Sequence, residues 1–230
     1  MRAFRIIIIT TLIVGFTCIG NYAQVGIKTQ YSINNFSDWN KWARNNAQID
    51  EFFPSIVEFG IDYRLSLSRV RLEFYPYLSY GQGTTQIRNS DESLKLSQYG
   101  LGVDMRYYPM DDSDDCNCPT FSKQGDFLQK SFFVLLSLGA RKYNLDAALE
   151  SISDDTGIAY QIAVGAGLDF GFSDFFTFTP FAQLAYGDGY NYSSLQSIYD
   201  VPNDFKSSVV QTLLGVRLGF RFDYVGKRRR

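Results

Sequence analysis

The sequence predicts an all-β fold, a transmembrane antiparallel up-and-down β-barrel of about eight strands. Three observations predict it. Aromatic residues make up 17% of the 230 residues, with 20 Phe and 16 Tyr, yet the mean hydropathy is only −0.15. Segments of alternating apolar and polar residues recur along the chain, and an apolar segment preceded by two arginines lies at its N-terminus. A membrane barrel reconciles many aromatic residues with low hydropathy, because each strand shows lipid only one face.

Eight segments have the period-two alternation of half-buried strands. Most are roughly 10 to 15 residues long, which fits a tilted strand that crosses a bilayer. No amphipathic helical pattern separates them, so a parallel sheet with crossover helices is disfavoured. We place the strands at 24–33, 55–66, 69–80, 95–108, 130–143, 157–171, 175–187 and 208–224.

The two faces of each segment differ in a way that favours a membrane barrel over a soluble one. In the last segment one face carries Val216, Leu218 and Phe220, and the other carries Arg217 and Gly219. Glycine-rich faces suit the crowded interior of a narrow barrel. A cation at the bilayer midplane costs about 2–4 kcal/mol, and the apolar faces hold none there. The alternative, a soluble lipocalin-like carrier, would bury these apolar faces.

The N-terminus has the pattern of a secretory signal peptide. Arg2 and Arg5 precede the apolar segment 6–19, which is shorter than the about 20 residues of a membrane-spanning helix. We expect cleavage after Ala23, with cleavage after Gly20 as an alternative. The chain is therefore predicted to be exported.

Connection lengths predict the orientation. Outer-membrane barrels keep periplasmic turns short and external loops long. The connections at 66–69 and 172–174 are short, so both termini are expected in the periplasm and the longer connections outside. Residues 109–129 form a long connection on the periplasmic side, which is either a periplasmic element or a sign that the strand count is off by one hairpin. The predicted external loops are 34–54, 81–94, 144–156 and 188–207.

The final strand fits the assembly signal of such barrels, with Arg217, Gly219, Phe222 and Tyr224 at its spacing. With the phrase Leu101–Pro109, it makes the chain resemble small outer-membrane β-barrel proteins of Gram-negative bacteria, especially the OmpA/OmpX-like barrels of the Bacteroidota. The resemblance covers 24–224. It implies a monomer in outer-membrane lipid, inserted by the barrel-insertion machinery. Many members end on the last aromatic residue, whereas a basic tail follows here. The predicted parts are a signal peptide (1–23), the barrel (24–224) and a basic periplasmic tail (225–230).

Enzymatic activity is not expected. Known enzymes on this scaffold depend on an active-site histidine, which titrates near neutral pH, and this sequence contains no histidine. Most metal sites built from histidine are excluded for the same reason. A net charge of −2 gives no reason to expect a nucleic-acid partner. We therefore predict no catalytic residue, no cofactor and no metal.

Charged residues are expected on the lumen side of the strands. They could line a small porin-like pore for solutes or ions, or pair with each other and close the lumen. The second interpretation is favoured because an eight-stranded interior has room only for its own side chains and a buried charge needs a partner. It gives a structural or surface-interaction protein whose ligand is unknown. The predicted lumen charges are Lys28, Glu58, Asp62, Arg64, Arg71, Glu73, Asp104, Arg106, Arg141, Asp169, Arg217, Arg221 and Asp223.

Two further features have open interpretations. The stretch Asp111–Cys118 could bind a cation or form a solvated acidic turn. Within it, Cys116 and Cys118 could form a disulfide, remain free thiols or pair between molecules. Loop aromatic residues could form an adhesive surface or anchor the barrel at the lipid headgroups. These aromatic residues are Trp39, Trp42, Tyr190, Tyr192 and Tyr199.

Overall fold

The computed structural model describes residues 24–46, 51–67, 71–86, 93–109, 132–147, 155–173, 176–191 and 206–221. In this part of the chain nine strands and one short helix form. Their bounds are β1 (Gln24–Phe36), α1 (Ser37–Asn46), β2 (Ser55–Leu67), β3 (Leu72–Gln86), β4 (Ser93–Tyr107), β5 (Phe132–Ala147), β6 (Asp155–Leu168), β7 (Phe170–Ser173), β8 (Phe176–Asn191) and β9 (Lys206–Arg221).

The strands form an antiparallel barrel in which successive strands pair, except that β6 pairs with β8 and not with β7. β1 pairs with β9, and β8 pairs with both β9 and β6, so the sheet of the described strands closes on itself. Asp169 separates β6 from β7, and both of these strands pair with β8. Together β6 and β7 occupy one position around the barrel, so the described strands form an eight-stranded barrel, which confirms the predicted fold.

The two ends of the barrel are distinct. One end holds Gln24 and Arg221 and is called the terminal end; the other holds α1 and is called the helix end. Connections 68–71, 108–131 and 174–175 lie between strands at the terminal end. β4 and β5 are adjacent, so the long segment 108–131 joins neighbouring strands, although most of it lies outside the described residues.

Several predicted loop bounds are wrong, because strands extend farther toward the helix end than alternation alone indicated. β3 continues to Gln86, and β5 continues to Ala147. The predicted polar loop 34–54 instead begins with the last residues of β1 and the helix α1. The helix begins with Ser37 and Asp38, residues that favour a helix N-terminus. Among the described residues no helix is long and apolar enough to cross a membrane.

The outward face carries an apolar band between two belts of aromatic side chains, as expected for a barrel in a bilayer. On β4 the belts lie eight residues apart, at Tyr99 and Tyr107. With a rise of about 3.3 Å per residue and a tilt of about 40°, this separates them by about 20 Å along the barrel axis. The helix-end belt comprises Tyr31, Tyr80, Tyr99, Tyr160 and Tyr186; the terminal-end belt comprises Tyr63, Phe74, Tyr107, Phe132, Phe170, Phe176, Phe178 and Phe220.

Candidate functional site: the filled lumen

The centre of the lumen is crossed by ion pairs. Within the described residues, five acidic and five basic side chains point inward and pair one to one, so their charges cancel. Removing a charge from water without a partner is costly, and pairing each charge is what allows ten of them inside one narrow barrel. The pairs are Lys28–Asp104, Arg64–Glu73, Arg106–Asp169, Arg141–Glu58 and Arg217–Asp62.

Arg217 and Asp62 form the pair with the most complete geometry. The guanidinium donates from Nε to both carboxylate oxygens at 2.9 Å and from Nη2 to Oδ1 at 2.7 Å. The two side chains are each 1% exposed. Gly26 and Gly219, which are register partners on β1 and β9, lie against the guanidinium. A Cβ atom at either glycine would come within 2.5 Å of it, so the sequence keeps this space free for Arg217.

Lys28, the register partner of Arg217 on the adjacent strand β1, is also held by a carboxylate and an aromatic ring. Its Nζ lies 3.1 Å from Asp104 and 3.4 Å from the centre of the Tyr77 ring, a cation–π contact. The Tyr77 ring in turn lies over Gly102 and Gly139, which are paired on β4 and β5. The inward glycines therefore leave the space that the larger side chains of the lumen occupy.

This packing predicts that Gly139→Val destabilises the barrel by about 1–3 kcal/mol, the usual cost of overpacking. The added Cβ would lie 2.7 Å from the Tyr77 hydroxyl and 3.3 Å from the Leu101 carbonyl oxygen. The matched control is Ala140→Val, one residue along β5 and facing outward. Urea unfolding in detergent micelles measures both variants. Equal stability of the two would contradict the packing.

Near the terminal end, aromatic rings and carboxylates close the lumen together. Tyr108 donates to Asp169 at 2.6 Å and contacts Glu73 at 3.0 Å. Tyr75 donates to Glu73 at 2.5 Å. The Arg106 guanidinium lies 4.1 Å from the Tyr75 ring centre and 3.5 Å from Asp169. The charges at this end are thus also linked across several strands.

At the helix end an aromatic plug fills the mouth. We define the aromatic plug as Phe36, Trp39, Phe52, Phe53, Tyr143 and Tyr190. The Trp39 ring stacks on Phe36 at 5.1 Å between centroids, and Tyr190 stacks on Tyr143 at 5.2 Å. Because β1, α1, β5 and β8 all contribute, the plug spans the mouth instead of lining one wall.

Hydrogen bonds hold the segment before β2 in the plug. Asn40 of α1 accepts the Phe52 N–H at 2.9 Å, and Thr85 of β3 accepts the Phe53 N–H at 2.6 Å. The Asn34 side chain donates to the Phe53 carbonyl at 2.9 Å. Phe53 has φ = 41°, an unfavourable backbone conformation for a side chain of this size. These bonds offset that strain.

Between the plug and the ion pairs lies a chain of amide side chains. Gln161 receives a bond from Arg141 at 2.6 Å and donates to Gln211 at 2.7 Å, which donates to Asn34 at 2.7 Å. Gln98 donates to Glu58 at 3.3 Å. Hydrogen bonds between side chains therefore connect the ion pairs with the aromatic plug.

Some predicted site residues lie elsewhere. Arg71 was expected on the lumen side of β3, but it lies in the turn before that strand with φ = 44°. For Arg221 the backbone ends β9 and the side chain is outside the described residues, as are Asp223, Phe222 and Tyr224. Cys116, Cys118 and segments 1–23 and 225–230 are also outside them. Arg217 and Gly219 of the predicted assembly signal face the lumen.

Two predicted loop aromatics are buried, so neither the adhesive nor the headgroup interpretation holds for them. Trp39 and Tyr190 are each 1% exposed, inside the aromatic plug. Their neighbours in the sequence are polar, so the sequence did not indicate that these two side chains are buried in the barrel mouth. The side chain of Trp42 and all of Tyr192 and Tyr199 lie outside the described residues.

A repeated sequence motif marks the positions of several lumen charges and could have been used to predict them. Glycine, an aliphatic residue and aspartate occur in sequence at 60–62, 102–104 and 167–169, on the strands that run toward the terminal end. The fourth such strand carries Gly-Val-Arg at 215–217. The motif places a charge beside a small residue at the same phase of each strand, which is the geometry that an inward ion pair in a narrow lumen requires.

The arrangement is suited to closing a lumen. Its charged side chains are paired, and its rings are packed. Among the described residues no group of acidic, cysteine or histidine side chains could hold a metal ion. With an apolar exterior band and an interior filled by its own side chains, the fold defines an integral membrane β-barrel.

The family is shown by a sequence comparison. The model of the autotransporter beta-domain matches residues 33–228, so the chain belongs to the autotransporter beta-domain family. It is an eight-stranded barrel of the outer membrane. No curated protein matches the chain.

Solved structures similar to this chain share little of its sequence. Neisserial surface protein A is 12% identical, with a TM-score of 0.47 over 87% of this chain and 97% of that one. Ail of Yersinia pestis, solved with the heparin analogue sucrose octasulfate, is 12% identical, with a TM-score of 0.43 over 86% and 98%. The translocator domain of autotransporter NalP from Neisseria meningitidis is 11% identical, with a TM-score of 0.37 over 96% of both chains.

Proposed function

We propose that the chain is a non-enzymatic outer-membrane barrel with a closed lumen that acts as a structural or surface-interaction protein. The observation that carries the proposal is the filled lumen. Five mutually compensating ion pairs, the amide chain and the aromatic plug occupy successive levels from the terminal end to the helix end. A transport function would need a continuous water path through all three levels.

The proposed orientation places the terminal end in the periplasm and the helix end outside the cell. The helix end, with the exposed side of α1, would then face the surroundings. A surface partner would bind there. The absence of histidine from the sequence supports a role without catalysis. We also propose that the barrel resembles those of the Bacteroidota, that a signal peptide directs its export and that it is a monomer.

Because the chain belongs to the autotransporter beta-domain family, translocation of a passenger chain is an alternative function to consider. A helix with its side chains is about 10 Å across. To pass through the barrel, a helix or an extended chain would have to displace the ion pairs and the aromatic plug. An eight-stranded barrel has an interior only wide enough for its own side chains. We therefore favour a structural role for this chain over translocation.

The purified protein is expected to give no steady conductance in planar lipid bilayers, because charged and aromatic side chains block every level of the lumen. Single-channel recording tests this, with a porin of known conductance in the same bilayers as a positive control. Insertion of the barrel is checked separately by heat-modifiable gel mobility and protease protection in vesicles. Long-lived openings with a reproducible conductance would instead support the alternative function, a small channel for solutes or ions.

A further inference from the structure

Two prolines interrupt the hydrogen-bond ladder of the barrel wall. Proline has no backbone N–H to donate, so in sheets it is usually confined to edge strands or bulges. Pro76 lies in β3 and Pro180 lies in β8, and both strands are paired on each side. The hydrocarbon of a bilayer offers no water to a backbone group that loses its partner. Each proline therefore marks a place where the wall is held by fewer backbone hydrogen bonds.

Beside Pro76 the gap in the ladder lies on one side of β3. Between β2 and β3 the register pairs stop at Asp62↔Tyr77 and resume at Leu65↔Phe74, which leaves a gap of two positions. Pro76 lies in that gap, whereas the pairing of β3 with β4 continues through it. We call this gap the β2–β3 seam.

A second seam of the same form lies beside Pro180. Between β6 and β8 the register pairs stop at Gly167↔Phe181, and β8 then pairs with β7 from Phe170↔Phe178. Pro180 lies in this gap, which we call the β6–β8 seam, and the pairing of β8 with β9 continues past it. The pairings of β1 with β2, β1 with β9, β4 with β5 and β5 with β6 have no such gap in the described residues.

Lumen side chains cross both seams where the backbone ladder does not. Arg64 of β2 donates to Glu73 of β3 across the β2–β3 seam. Of the five ion pairs within the described residues, this one alone joins adjacent strands, and the other four join strands that are not neighbours. Across the β6–β8 seam, Thr179 of β8 donates to Asp169, which lies between β6 and β7. Side-chain hydrogen bonds therefore close the wall at each gap.

One hydroxyl group joins the two seams across the lumen. The Tyr108 hydroxyl donates to Asp169 at 2.6 Å, and its oxygen lies 3.0 Å from Glu73. Tyr108 is 7% exposed, so water does not compete strongly for these carboxylates. Each carboxylate holds its own seam, and the two share Tyr108. Loss of this hydroxyl would therefore loosen the side-chain bonds at both seams at once.

We propose that the β2–β3 and β6–β8 seams are lateral gates in the barrel wall, and that Glu73, Tyr108 and Asp169 form the lock that keeps both closed. Pro76 and Pro180 face outward, each two residues from a phenylalanine of the terminal-end belt. Opening of either seam therefore connects the terminal end of the lumen with the bilayer. The aromatic plug lies at the other end, so this lock is independent of the closed mouth and of any surface partner.

Hydrogen exchange of backbone amides, measured by NMR on the full chain in lipid nanodiscs, tests the lock because it reports local opening. Tyr108→Phe keeps the ring and removes the hydroxyl, so exchange beside both seams should become faster by about tenfold or more, the effect of one hydrogen bond to a charged group. Amides between β1 and β9 should keep their wild-type rates. The amides followed beside the seams are those of Leu65, Phe74, Phe170 and Phe178.

The matched control for the hydroxyl is Tyr107→Phe. Tyr107 is the neighbouring residue, faces outward and is 48% exposed, so its variant should leave exchange at both seams unchanged. Faster exchange in Tyr108→Phe at one seam only would show that the seams do not share a lock. Faster exchange throughout the barrel, between β1 and β9 as well, would show general stabilisation by Tyr108. Either result would overturn the proposal.

Proline variants test each gate separately. Pro76→Ala restores a backbone donor at the β2–β3 seam, so exchange of Leu65 and Phe74 should become slower by about threefold to tenfold, the effect of one net hydrogen bond. Exchange beside the β6–β8 seam should not change. Pro180→Ala should act in the converse way, on the β6–β8 seam alone. Wild-type exchange rates at the restored seam would show that the gap is not where the wall opens, and the gates would then be wrongly assigned.

Discussion

Arg217→Ala is expected to lower the free energy of unfolding by about 3–5 kcal/mol, because it leaves Asp62 charged, buried and without its partner. Asp62→Ala should have a similar effect for the converse reason. Denaturant unfolding in detergent micelles or vesicles measures both. Lys142→Ala, which removes an exposed charge from the outer face, is the control and should change stability by less than about 0.5 kcal/mol.

A double-mutant cycle makes this prediction specific to the pair. Arg217→Ala with Asp62→Ala should cost clearly less than the sum of the single variants, since no lone charge then remains. Arg217→Met with Asp62→Leu should be close to neutral, because apolar side chains can replace a buried ion pair. Additive losses in the cycle would mean that the two residues act separately, contrary to their geometry.

Trp39→Ala is expected to cost about 3–5 kcal/mol, the usual cost of truncating a buried tryptophan. Trp39 is 1% exposed and its ring contacts Phe36, Phe52 and Tyr190, so its loss leaves a cavity in the aromatic plug. The unfolding midpoint followed by circular dichroism measures the effect. The matched control is Lys41→Ala on the exposed side of α1, which should be near neutral. A small effect of Trp39→Ala would place the tryptophan in a loop facing water.

The period-two pattern was sufficient to predict the fold, because a barrel wall repeats one rule along every strand. Apolar residues such as Leu101 and Leu138 face lipid, and glycines such as Gly102 and Gly139 face the lumen. The alternation also predicted which charged residues of the strands, such as Arg217, face the lumen. Their partners were not, because pairs such as Lys28 with Asp104 join residues 76 positions apart across the lumen.

The aromatic plug could not be predicted, for a different physical reason. Alternation describes residues on a strand, whereas Phe52 and Phe53 lie in an irregular segment with a left-handed residue. Their burial depends on side-chain donors and acceptors from elsewhere, such as Asn40 and Thr85. A local reading of polar residues at 34–54 indicates an exposed loop. Only the closed barrel creates the space into which this segment folds.

The most direct test of the closed lumen is the reactivity of two adjacent positions on β5. Ser137 faces the lumen and is 7% exposed, whereas Leu138 faces lipid and is 47% exposed. We would introduce Ser137→Cys and Leu138→Cys separately, with Cys116 and Cys118 replaced by serine, and treat the folded protein in vesicles and the denaturant-unfolded protein with a water-soluble thiosulfonate, which reacts with the thiolate. A closed lumen predicts that neither variant is modified in vesicles, because neither thiol meets water, and that both are modified after unfolding. Rapid thiosulfonate modification of Ser137→Cys would show water in the lumen and contradict the account.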